Sequence, residues 1–203
     1  IRYKWIISIV ILLIGILVFT LFDDSLFNLF IHEENLDSVN PADVIKYGKE
    51  YLSVMIFGLL PFVITEIYST NLREAKQTFV PMLSNIIAVV LNLVLNYILI
   101  FGNFGFPALG VKGAAIATVI SRFIGCAVVV IFAHFNKKYS FVNCIFKKVL
   151  PSKSSFINIF KGSYLLLINE FLWSFGMTLL NYCFSFKGLE VVAAMNIVST
   201  VSN

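Results

Sequence analysis

The sequence predicts an all-α, polytopic transmembrane helical bundle. Three observations carry that expectation: the composition, a set of long unbroken apolar runs, and the way charge is sorted between those runs. Of the 203 residues 59% are hydrophobic and only 13% are charged, whereas an ordinary soluble domain has roughly 45–50% apolar and about 25% charged residues. Such a chain cannot cover its apolar surface with polar side chains, so lipid must be its solvent. The formal net charge of +4 does not indicate a nucleic-acid partner, because the basic residues flank apolar spans and do not interleave with aromatics on a polar face.

A helix needs about 20 apolar residues to cross the hydrocarbon core. Five stretches qualify, Trp5–Phe22, Tyr51–Leu72, Met82–Phe101, Gly113–Phe135 and Ser163–Phe186, and a sixth opens near Val191. Each is continuously apolar, without the alternation of an outer-membrane strand, and a helix satisfies its own backbone polar groups in lipid. The first span is too long for a signal-peptide core and lacks a small-residue cleavage site, so it is expected to be retained. The chain opens on Ile1 and stops at Asn203 within an apolar segment, which suggests the central part of a longer protein. Cys126, Cys144 and Cys183 have no spacing that points to a metal site or a disulfide and are read as apolar filler.

The connections alternate in charge. Arg2, Lys4, Arg73, Lys76, Lys137, Lys138, Lys147, Lys148, Lys153 and Lys161 fall on one side, against Lys46, Lys49, Lys112 and Lys187 on the other. The positive-inside rule places the first group in the cytoplasm, together with the long connection 136–155. The acidic connection with Asp23, Asp24, Glu33, Glu34 and Asp37 then faces outward, and its DDSLFNLFIH segment reads as an amphipathic extension or a frayed helix end. The Lys pairs and Pro151 of the long connection mark a boundary between two bundles, expected at 1–138 and 156–203 with a linker at 139–155.

Polar groups inside a span are costly unless they pair or face a cavity, so each is a candidate for function. The charged ones are Glu66, Arg122 and Glu170. At helical spacing Ser163, Glu170, Trp173, Ser174, Met177 and Asn181 share one side of the fifth span. A carboxylate beside an indole and a thioether suits an organic cation, and equally suits exchange of a proton or Na⁺ for such a cation. The alternative is a permanent pair that only locks the bundle. On the third span Asn85, Asn92 and Asn96 share a face, which either hydrogen-bonds to a neighbouring helix or lines a wet cavity. Gly113, Ala117, Ser121 and Gly125 recur every four residues and form a ridge for close helix approach. Arg122 calls for an intramembrane ion pair, with Glu66 or a residue outside this chain as partner, although Glu66 is also close enough to Arg73 to be interfacial. Gly58 and Pro61 are expected to bend the second span.

LNLVLNYILIFGNFGFPALGVKGAAIATVISR, with NLREAKQTFVPM before it and SYLLLINEFLWSFG and GLEVVAAMNIVS after it, resembles the multidrug and toxic compound extrusion (MATE) family, over essentially the whole chain as helices three to eight. That resemblance implies two six-helix lobes that open alternately to either side of a cell membrane, and antiport of organic cations against Na⁺ or H⁺. It places Glu170 in the cation site of the second lobe, with Na⁺ as a candidate ion there, and Asn92 and Asn96 in that of the first. Family members often carry aspartate where this chain has Asn96, which weakens the case for an ionisable first-lobe site.

No nucleotide-binding loop, HExxH or dinucleotide turn is present, and His32 and His134 have no ligand-spaced partner, so no enzyme and no organic cofactor is expected. The expected partners are the lipid bilayer and a small organic cation, with the full-length protein a monomer. The rival reading is a lipid-linked oligosaccharide or lipid-precursor flippase of the same superfamily, whose cavity would be rimmed by Arg and Lys. A channel or a membrane scaffold is a weaker third, since no pore-lining repetition is visible.

Overall fold

The computed structural model describes residues 2–21, 41–136, 153–187 and 189–202. The described residues are helices joined by turns: α1 (Arg2–Leu21), α2 (Pro41–Glu74), α3 (Phe79–Phe101), a 3₁₀ turn at Asn103–Gly105, α4 (Gly110–Phe135), α5 (Lys153–Ser185) and α6 (Leu189–Ser202). Five of them, α1 to α5, are long and apolar enough to cross a membrane. The all-α expectation is met. The acidic connection with His32, together with Cys144, the Lys147–Lys148 pair and Pro151 of the long connection, lies outside the described residues.

Two helices begin about ten residues before their expected spans, α2 at Pro41 and α5 at Lys153. Apolar counting finds only the part of a helix that sits in hydrocarbon. The added turns carry Asp43, Lys46 and Lys49 on α2 and Lys161 on α5, which suit the polar interface and can snorkel toward water. Pro41 stands at the first helical position, where its missing N–H is no loss.

The chain forms two compact units. One is built from α1, α2 beyond Tyr47, α3 and α4, and the other contains α5 and α6. In the first unit α3 and α4 form an antiparallel hairpin. Contacts descend α3 as they ascend α4: Leu99 meets Gly113, Asn92 meets Thr118, and Ser84 meets Gly125. Gly113, Ala117, Ser121 and Gly125 are all buried, so the small-residue ridge is the surface along which the two backbones approach. A Cβ on Gly113 would lie 2.6 Å from the Leu99 carbonyl oxygen. The connecting turn uses the left-handed backbone four times, at Gly102 (φ 72°), Phe104 (φ 59°), Gly105 (φ 84°) and Gly110 (φ 55°). Gly102 closes α3 by donating from its N–H to Ile98, and a Cβ there would strike Ala108 N at 2.7 Å.

Helix α2 runs parallel to α4, since Gly58 meets Val119 and Arg122 while Tyr68, further along, meets His134. The best-buried apolar cluster lies toward the end of α2 and combines Tyr68 and Leu72 with Val80 of α3 and Val129 and Ala133 of α4. Trp5 brings α1 onto it, edge-on to Tyr68 with centroids 6.0 Å apart, and Lys4 pairs with Glu74 beside it. Helix α2 stops in a double turn, Gln77 N–H to Leu72 O at 2.9 Å and Lys76 N–H to Arg73 O at 3.0 Å. This places Lys76 at φ 61° where glycine is usual.

Gly113→Val should lower the stability of the full-length protein by about 1–3 kcal/mol. Thermal unfolding in detergent reads this, and an unchanged melting temperature would show that α3 and α4 do not cross closely at Gly113.

Candidate functional site

The first unit carries a polar strip in the α3–α4 hairpin. Asn96 Nδ2 donates to Asn92 Oδ1 at 3.0 Å, Asn92 Nδ2 donates to Thr118 Oγ1 at 3.1 Å, and the Thr118 hydroxyl donates to the Ala114 carbonyl at 2.9 Å. The relay is part-buried, and it ends on Asn96 Oδ1, a buried acceptor with no hydrogen-bond partner among the described residues. Within a helix that spans lipid, such an acceptor is a place where a donor or a cation gains most. Asn92 and Asn96 are therefore joined as the third span's amide face suggested. Asn85 is exposed on α3 and stays outside the relay.

Thr118 is the residue that sequence reading missed. Its hydroxyl can back-bond within its own helix, which makes it look self-sufficient. The available signal was its place beside the small-residue ridge, where α3 must come close. Ser84 was missed for the same reason, and its buried hydroxyl donates to the Gly125 carbonyl at 2.8 Å across the hairpin.

Arg122 stands one turn beyond Thr118 on α4. Its Nη1 donates to the Gly58 carbonyl at 3.4 Å, and its Cζ lies 5.2 Å from the Phe62 ring centroid. Glu66 is exposed on α2 and is not paired with it, so the structure does not bring these two into the ion pair considered from sequence. Helical side chains lean toward the N-terminus of their helix. Since α2 and α4 run parallel, that lean carries Arg122 to the level of Gly58 and Phe62, ahead of Glu66. Gly58 gives the room: a Cβ there would sit 3.1 Å from Val119 Cγ2 and 3.5 Å from Arg122 Cδ.

In the second unit Glu170 and Trp173 are exposed on α5, while Ser163, Met177 and Asn181 are part-buried. The nearest aromatic pairing on that helix is Phe171 with Phe175, stacked at 6.1 Å. Among the described residues no three His, Cys, Asp or Glu side chains converge as a metal cluster.

Long apolar helices, a glycine-stacked hairpin and polar groups held at mid-span define a multi-pass α-helical membrane protein. The MatE family model matches residues 1–98. The chain is 33% identical over 175 residues to a probable multidrug resistance protein NorM of Thermotoga maritima, covering 86% of this chain and 35% of that protein. It is 37% identical over 101 residues to the protein of that name in Bacillus licheniformis, covering 50% of this chain and 22% of the relative. For Bacillus subtilis the figures are 30% over 93 residues, covering 46% and 21%. The chain is thus similar to the MatE family, and it spans about a third of the length of the Thermotoga relative. No solved structure matches it.

Asn92→Leu removes the middle of the relay and strands Asn96 Nδ2, so it should destabilise the full-length protein by about 1–2 kcal/mol. Asn85→Leu should be neutral. Equal effects in chemical unfolding would show that the relay does not form.

Proposed function

We propose that the full-length protein is a secondary active exporter of organic cations or drugs in the bacterial plasma membrane, exchanging them for Na⁺ or H⁺ by alternating access. The observation that carries this reading is the buried Asn96 oxygen, without a partner among the described residues, at the end of the Asn96–Asn92–Thr118 relay, in a chain similar to probable multidrug resistance proteins. An unspent acceptor inside a membrane-crossing hairpin favours a transient cation.

Glu170 supplies the charge that the amides lack. Its carboxylate, with Trp173, Met177 and Asn181 on the same side of α5, suits a delocalised organic cation or the coupling ion, with Na⁺ as a candidate there. Residues 1–138 would form most of one lobe and 156–203 the start of the other, joined by a cytoplasmic linker at 139–155. The positive-inside distribution of Lys and Arg supports that orientation. No organic cofactor is invoked, and the protein acts as a monomer. The flippase reading would need several cations around the cavity to hold a pyrophosphate, and Arg122 is the mid-membrane cation of this chain.

Replacing Glu170 by Gln in the full-length protein should reduce ion-driven efflux of a fluorescent organic cation from vesicles by roughly tenfold or more, the equivalent of one lost charge-assisted contact. Efflux with unchanged rate and unchanged ion dependence would remove Glu170 from the mechanism.

A further inference from the structure

Helix α1 is held at one end. None of its described side chains is buried, and a Cβ on Gly15, in its second half, would meet nothing within 4 Å. At its first turn Trp5 packs edge-on against Tyr68 of α2, with ring centroids 6.0 Å apart, and Lys4 pairs with Glu74. The Glu74 side chain is 60% exposed, so that pair adds little to the contact and exchanges readily with water.

This clip contains two polar atoms that it leaves unspent. Trp5 Nε1 and Asn71 Oδ1 are both buried, and neither has a hydrogen-bond partner among the described residues. They belong to one contact. Asn71 stands three residues after Tyr68 and three before Glu74, on the strip of α2 whose two ends meet Trp5 and Lys4. An indole N–H only donates and an amide oxygen only accepts, so each is the group the other lacks. A buried polar atom without a partner is costly, and joining the two removes both penalties at once. A helix clipped at its first turn and unpacked around Gly15 can tilt about the clip, and a shift of about an ångström decides whether a hydrogen bond is made.

We propose that the start of α1 is a latch on the end of α2 with two settings, a looser one in which Trp5 rests on Tyr68 alone and a closed one in which Trp5 Nε1–H donates to Asn71 Oδ1. The structure holds the looser setting. Tyr68 gives the indole its seat, the Lys4–Glu74 pair keeps the helix ends within reach, and the Trp5–Asn71 bond sets the balance between the two. The latch rests on the export reading only for its use, which is to pin one end of the bundle while the other opens.

The test uses the full-length protein in nanodiscs, with Cys126, Cys144 and Cys183 replaced by Ala and spin labels on cysteines placed at Ile7 and Ala75, both of them exposed positions. Pulsed electron paramagnetic resonance should give two distances. Trp5→Phe keeps a ring on Tyr68 and deletes the N–H, and it should lower the ratio of the shorter distance to the longer roughly tenfold. Asn71→Leu should do the same, and the two substitutions together should do no more than either alone, because they remove one bond. A single distance would mark a fixed contact and overturn the latch. Two distances in a ratio that Trp5→Phe leaves unchanged, or losses that add in the double variant, would overturn it as well. Should Asn71→Leu lower the melting temperature, the response to Trp5→Phe decides by itself. A full-length protein that exports no fluorescent organic cation would end the export reading, while two distances that answer to Trp5→Phe would still establish the latch.

Discussion

The close crossing of α3 and α4 is the constraint on which the rest of the first unit depends. Lipid tails are as apolar as leucine, so no hydrophobic force draws two such helices together, and van der Waals contact and hydrogen bonds must do so. Both need the backbones near each other. Gly113 allows it at one end, where Leu109 N–H also reaches the Leu99 carbonyl at 2.9 Å, and Gly125 allows it at the other, against Ala88 and Ser84. Between those points the separation is set, and it is the separation at which Asn92 can reach Thr118. Geometry at the glycines thus produces the polar strip.

Helix α2 adds a second, looser layer of the same logic. It meets α4 through Gly58 and the cluster around Tyr68 and Leu72, and Thr65 in that stretch spends its hydroxyl on the Pro61 carbonyl at 2.7 Å. Pro61 cannot donate to Phe57, so the carbonyls of this turn are less firmly engaged than those of a regular helix. Arg122 docks on that turn. The first unit thus combines a neutral amide strip with a guanidinium held by α2, and in the second unit Glu170 is exposed on α5.

Much of this was legible in the sequence because membrane helices advertise themselves. The five spans, the small-residue ridge and the shared face of Asn92 and Asn96 all follow from residue type at helical spacing. What was not legible depends on contacts between helices. Thr118 and Ser84 look self-sufficient until a neighbour comes close, and Arg122 reads as one half of an ion pair until the parallel run of α2 and α4 carries it past Glu66 to Gly58 and Phe62. The early starts of α2 and α5 escaped because their first turns are polar. Lys76 in a left-handed conformation could not be foreseen, since nothing local demands it and the cost of about 1–2 kcal/mol is met by the turn bonds that close α2.

The most direct test of the α3–α4 crossing is disulfide formation in membranes between cysteines placed at Ala88 and Gly125 of the full-length protein, with Cys126 replaced by Ala. The Ala88 Cβ lies 3.3 Å from the position a Cβ on Gly125 would take, close to the separation of about 3.5–4.5 Å that a disulfide requires. Rapid and near-complete oxidation, with a control pair at Leu93 and Gly125 staying reduced, is the predicted result. Failure of the Ala88–Gly125 pair to form, or equal oxidation of the control, would contradict the crossing and with it the polar strip that the crossing creates.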